Sequence, residues 1–108
     1  MPNVIRIEKT KSKLSKPFFK RPIARVDGYY MGIARLEGEH KLHYHDMDEL
    51  VYVLDGQLII KVNNRKYTLE TGEGILIKAG ERHITLCEKE THILVFESQN
   101  VSFNEIRE

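Results

Sequence analysis

The sequence predicts an all-β domain of the sandwich or barrel class, on three observations. From Ile23 onward, short runs rich in Val, Ile, Leu and Tyr recur at close spacing. Turn signals built on Gly, Asn and Asp separate them, and no stretch carries the 3.6-residue apolar periodicity of a helix. At 108 residues the chain has room for a single core and too little for two.

The elements follow in order. Residues 1–22 read as a basic arm, with seven Lys or Arg against Glu8 alone, and Pro17 and Pro22 interrupt any helix there. The rest, residues 23–108, read as one barrel that holds the remaining ten basic and fifteen acidic residues. Ile5, Ile7, Phe18 and Phe19 let parts of the arm lie on the body or on a neighbouring subunit. Strands are expected near 23–27, 29–36, 41–45, 50–54, 57–62, 66–70, 75–77, 83–87 and 91–97. Asp55-Gly56, between Tyr52-Val53-Leu54 and Leu58-Ile59-Ile60, reads as a tight hairpin of type I′, a turn that needs positive φ at both central residues. The strand at 50–54 is apolar on both faces, so it needs a second cover, and a homodimer is expected.

Charged residues make up 31% of the chain, and the formal net charge of +1 says little about partners. A single cysteine, Cys87, cannot form an internal disulfide. No signal-peptide apolar stretch opens the chain, and no run approaches the roughly 20 apolar residues of a membrane span. A cytoplasmic protein without membrane partners is expected. The basic arm alone invites a nucleic-acid reading. The acidic body, the lack of aromatic-basic interleaving and the lack of a recognition helix argue against it.

The chemistry concentrates in His43-Tyr44-His45-Asp46-Met47-Asp48-Glu49 and in His83. Side chains two apart on a strand share a face, so His43 and His45 can grip one ion together, while Tyr44 faces away. The Asp46-Met47-Asp48 step reads as a turn that returns Glu49 toward them. With His83 the set is three imidazoles and one carboxylate, a donor set for Fe, Mn, Ni, Cu or Zn rather than for Ca or Mg. His83, Thr85 and Cys87 share a strand face, so the last two are expected to line the same cavity. His40 belongs to the loop before the motif and is expected to be exposed, with the pocket mouth as the alternative, and His92 packs with Leu94 and Phe96. Tyr29, Met31, Ile33 and Arg35 share another face, the first three as core. Lys78 and Arg82 read as solvated surface charge, with an anionic substrate at the barrel rim as the alternative.

These spacings resemble the cupin family. Its first motif matches Gly38, His43, His45, Glu49 and Gly56, and its second matches Gly72, Gly80 and His83. Lys78 replaces the usual Pro, Cys87 replaces the usual Asn, and the first gap is one residue short. The resemblance implies a double-stranded β-helix, or jelly-roll barrel. It implies one divalent transition-metal ion (Fe, Mn, Ni or Zn) on His43, His45, Glu49 and His83, and a small-molecule ligand or substrate. It further implies a menu of dioxygenase, sugar isomerase or epimerase, decarboxylase or lyase, or a non-catalytic binding module. The general likeness is to short single-domain cupins labelled as resembling mannose-6-phosphate isomerase. Dioxygenase-type chemistry on a small organic molecule is the favoured expectation.

Overall fold

Two 16-residue strands organise the molecule, which a computed structural model describes over residues 2–106. Met1, Arg107 and Glu108, included in the expected limits 1–22 and 23–108, lie outside the described residues. A short helix α1 (Ile7–Lys11) precedes β1 (Phe19–Val26), β2 (Tyr29–Tyr44), β3 (Glu49–Asp55), β4 (Gln57–Val62), β5 (Arg65–Glu70), β6 (Gly74–Ile77), β7 (His83–Ser98) and β8 (Asn104–Glu105). All the strand pairings are antiparallel. The hydrogen-bonded order is β1-β2-β7-β3-β6, with β4 joining β7 and β5, and β8 joining β2. β7 pairs with β3 along Ile93–Glu97 and with β4 along His83–Leu86. Hydrogen bonds thus join all eight strands. This one long strand links two halves, β3-β6 and β4-β5, that form the two sheets of the sandwich, as strands that turn a sandwich corner do.

Four of the expected strands merge into two. The runs at 29–36 and 41–45 are one strand, as are those at 83–87 and 91–97. The breaks between these runs, at Glu37-Gly38 and Glu88-Lys89-Glu90, form a bulge instead: Leu36 pairs with Thr91 but Gly38 with Cys87. Gly38 takes a φ of +87° there, which suits glycine. The strand expected at 23–27 starts at Phe19, and its pairing slips between Pro22 and Ala24, where a proline breaks the ladder. α1 and β8 were not expected.

Asp55-Gly56 is no hairpin. β3 and β4 do not pair with each other, and Gly56 has positive φ while Asp55 does not. Gly56 sits against Thr91, whose hydroxyl accepts from Gln57 N–H and donates to Gln57 O, so this corner carries the chain from one sheet to the other. The two-residue turn with positive φ at both centres is Asn63-Asn64, at 47° and 69°, where Val62 pairs with Arg65.

The core lies between the sheets: Val51, Val53, Leu58, Ile60, Ile93 and Val95 are all buried. Of the face Tyr29, Met31, Ile33 and Arg35, only Ile33 is fully buried; Ala34 and Leu36, of opposite parity, enter the core. Cys87 points inward but joins the core rather than the cavity wall. Four residues from His83, it lies about 13 Å further along the strand. Burial holds its thiol above the ordinary range. The N-terminal segment is tied to the acidic body by Lys11 to Asp55 at 2.6 Å and by Arg35 donating to Ser15 O at 2.7 Å. No helix among the described residues is long and apolar enough to cross a membrane.

Candidate metal centre

His43, His45, Glu49 and His83 meet at one end of the barrel because each stands at or just past a strand end. His43 is next to last in β2, His45 follows β2, Glu49 opens β3 and His83 opens β7. The intervening loops are fastened. Asp48 accepts from Ala79 N–H and from Lys78 Nζ, both at 2.9 Å, and Gly80 N–H donates to His45 O at 2.8 Å. Lys78 also donates its backbone N–H to Glu81 Oε1 at 2.7 Å, a bond that proline cannot make. The departure from the family's usual proline is thus part of how this loop is held. Neither Lys78 nor Arg82 lines the cavity.

All four residues are buried. One ligand atom from each of His43, His45 and His83 lies within 4.8 Å of the others. Glu49 Oε1 is 3.6 Å from His45 Nε2 and 4.0 Å from His83 Nε2. Each imidazole is oriented by its other nitrogen: Nδ1 of His43 meets Lys41 O at 2.6 Å, that of His45 meets Ser102 O at 2.8 Å, and that of His83 meets Glu81 O at 3.0 Å. A carbonyl can only accept, so Nδ1 carries a proton on all three rings, and in the neutral form of each ring Nε2 keeps its lone pair. This carbonyl anchoring is how metal-binding histidines have their tautomer fixed. Burial pushes the His43 imidazole down to about 3 and lowers that of His83, so both are neutral near pH 7.

Glu49 has a partner that the sequence reading missed. Glu97 is directly opposite it across the β3–β7 ladder and 1% exposed. One oxygen of each, with His45, again falls within 4.8 Å. Burial, then the Glu97 carboxylate, raises the Glu49 carboxyl to about 8. Burial pushes Glu97 up as well, but hydrogen bonds from Glu49, Lys20 and Tyr30 outweigh it and hold Glu97 below its usual range. Lys20 Nζ is 2.6 Å from Glu97 Oε1, and Tyr30 OH donates to the same oxygen. In the metal-free pair the proton therefore sits mainly on Glu49. A signal was available: Glu97 is in phase with Ile93 and Val95, and a carboxylate in phase with core residues is out of place unless it is used.

His40 is part of β2 rather than a loop; it is half-buried at the cavity mouth, stacked on Phe18 at 4.7 Å. His92 lies apart from the cluster, with Nδ1 2.9 Å from Asp55 Oδ1. It shares its strand face with Leu94 and Phe96, of which Phe96 is 40% exposed. Thr85 lines the cavity, as do Phe18 and Phe103.

The cupin-domain family profile matches residues 30–97, which include all four of these residues and both motifs. The chain belongs to the cupin family. Among solved structures it is similar to a cupin-2 domain containing protein from Shewanella frigidimarina, 30% identical with a TM-score of 0.86 over 89% of this chain and 95% of that one. It also superposes on hydroquinone 1,2-dioxygenase PnpCD, solved with Cd2+ and 4-hydroxybenzonitrile (18% identity, TM-score 0.78, 89% and 72% covered). At that identity the likeness carries the fold alone. One curated relative, the tetracenomycin polyketide synthase protein TcmJ of Streptomyces glaucescens, is 36% identical over 42 residues. That stretch is 38% of this chain and 28% of TcmJ, so the match spans under a third of that relative.

Proposed function

We propose that His43, His45 and His83, through Nε2, and Glu49, through its carboxylate, hold one divalent transition metal ion of the Fe, Mn, Ni or Zn group. The observation that carries the reading is the common tautomer: three backbone carbonyls take the three Nδ1 protons and leave three lone pairs directed into one buried space. Without an ion, that space gathers acceptors with few donors, a costly arrangement in a dry interior. Such an ion, once bound, supplies Lewis-acid or oxygen chemistry at the positions its protein ligands leave open.

The favoured activity is oxygen-dependent conversion of a small hydroxylated or carbonyl compound. Glu97 strengthens the enzymatic reading, because it sets a second buried carboxylate, held by Lys20 and Tyr30, beside Glu49. Two of the similar structures are hydroquinone 1,2-dioxygenases, which supports oxygen chemistry on this scaffold without assigning it here. A sugar isomerase is less well served, since Lys78 is engaged by Asp48 outside the cavity. The deciding experiment is anaerobic reconstitution with Fe(II), Mn(II), Ni(II) and Zn(II) in turn, followed by oxygen-uptake and product screens. Turnover with oxygen consumption on Fe(II) alone bears out the reading. Turnover of a phosphosugar on Zn(II) or Mn(II) without oxygen replaces it with an isomerase. Ligand-induced stabilisation with no turnover replaces it with a binding module.

The reading includes a cytoplasmic homodimer. Ala24, Met31, Phe96, Leu50 and Leu76 form one cross-strand row on the outer face of five strands. Leu50 and Leu76 are 43% and 55% exposed there, an apolar patch of the kind that a second subunit covers.

A further inference from the structure

Three rings surround the open end of the cavity. Phe18 stacks on His40 with centroids 4.7 Å apart and planes at 22°; Phe103 stacks on His43 at 4.4 Å and 27°. Phe103 and His40 are 5.6 Å apart, which closes the collar. Phe18 holds a φ of +63°, a conformation a bulky side chain adopts only when its surroundings impose it. Its N–H donates to Arg35 O at 2.6 Å, which fixes the ring over the mouth. Phe103 is seated by the pairing of β8 with His43 and Tyr44, and by Ser102 N–H donating to Asp46 Oδ1 at 2.8 Å. Both phenylalanines lie outside residues 30–97, so this chain's terminal segments supply two of the collar's three rings, and His40 comes from the part matched by the family profile.

Beneath the collar the cavity measures about 130 Å³. An engineered apolar cavity of about 150 Å³ takes up benzene, and common ligand pockets begin near 300 Å³, so the space suits one ring. Away from the metal ligands its walls are mostly apolar. Lys20 is the one Lys or Arg lining it among the described residues, and its ammonium is committed to Glu97 at 2.6 Å. A polyol would bury hydroxyls against apolar wall, and a phosphate would face the Glu49 carboxyl group with no free Lys or Arg to pair with.

We infer that the Phe18–His40–Phe103 collar selects a single planar aromatic ring carrying one or two oxygen donors directed at the His/Glu cluster, a phenol or catechol rather than a sugar or sugar phosphate. This deepens the proposed function: the ligand's oxygen end rests on the metal reading, and its flat end on the collar alone.

The test is calorimetric titration of Zn(II)-loaded protein, which cannot oxidise the probe, with catechol, trans-cyclohexane-1,2-diol and ribose 5-phosphate. Catechol coordinates metal better than the diol in any site, so the readout is how the catechol-to-diol ratio changes between wild type, Phe103→Leu and Phe18→Leu. Leucine keeps the wall apolar and removes the stacking face. The ratio should fall about three- to tenfold in each variant, with zinc stoichiometry unchanged. An unchanged ratio, tighter binding of ribose 5-phosphate, or no catechol binding to loaded protein overturns the inference and leaves the metal centre standing. If zinc does not load, saturation-transfer NMR on the metal-free protein compares the same ligands. A catechol preference that Phe103→Leu abolishes then upholds the collar while the metal reading falls, and no preference there sinks both.

Discussion

Proton and metal compete for Glu49, and the competition has a calculable size. Burial and the facing Glu97 raise the Glu49 carboxyl from 4.5 to about 8 in the metal-free protein. An ion that binds the carboxylate must displace that proton, so apparent affinity weakens by a factor of one plus ten to the power of 8 minus the pH. Between pH 9 and pH 7 this amounts to about tenfold. His43, pushed down to about 3, and His83, lowered by burial, are already neutral throughout this window and add no slope. The assay is competition for Zn(II) against a chromophoric chelator, with proton release counted in buffers of different ionisation enthalpy. About one proton should leave per ion at pH 7 and almost none at pH 9. Glu49→Gln should bind more weakly with little pH dependence across the window. Stability follows the same group with a definite sign. A carboxyl whose folded value is raised stabilises the fold fully below its unfolded value near 4.5 and loses that contribution as pH rises through about 8. Metal-free protein should therefore lose melting temperature between pH 6 and 9, and the loss should vanish in Glu49→Gln. A pH-independent affinity in wild type, or the same slope in Glu49→Gln, would refute this reasoning.

Two other perturbations test the scaffold. Gly56→Ala places a methyl 2.5 Å from Thr91 Oγ1 and 3.0 Å from Thr91 Cα, on a residue with φ of +106°. It should cost about 2–4 kcal/mol in urea denaturation, and a loss under about 1 kcal/mol would count against the described corner. Sedimentation should show a species near twice the 12.6 kDa chain mass, and the double variant Leu50→Glu with Phe96→Glu should halve it. A wild-type monomer at high concentration would leave the outer apolar row without its proposed cover.

Much of this was legible in the sequence, for local reasons. The two-residue spacing of His43 and His45 is a strand property, and the short apolar runs between turn residues marked the barrel. Parity placed Thr85 inward beside His83, where the cavity has it. Parity cannot say which face is inner when both are apolar. On Tyr29–Arg35 the core was expected at Tyr29, Met31 and Ile33; Ile33 is buried, but Tyr29 is 51% exposed and Ala34, of opposite parity, is in the core. Glu97 was missed although it is in phase with buried Ile93 and Val95. Turn residues mark a change of direction without saying whether the chain makes a hairpin, a bulge or a crossing between sheets. Asp55-Gly56, Glu37-Gly38 and Asn63-Asn64 show all three outcomes. Lys20 reaching Glu97, 77 residues away, and Phe103 stacking on His43 arise from docking of the terminal segments, which no local pattern encodes.

The most direct test of the metal centre is metal content by mass spectrometry on protein purified without a histidine tag. It should be run on wild type, His83→Ala and His92→Ala after exposure to each of the four candidate ions. His83 Nε2 faces the cluster, whereas His92 is held by Asp55 elsewhere. Wild type and His92→Ala should each retain about one equivalent through dialysis, and His83→Ala should lose most of it. No retained metal in wild type, or equal loss in the two variants, would contradict the account.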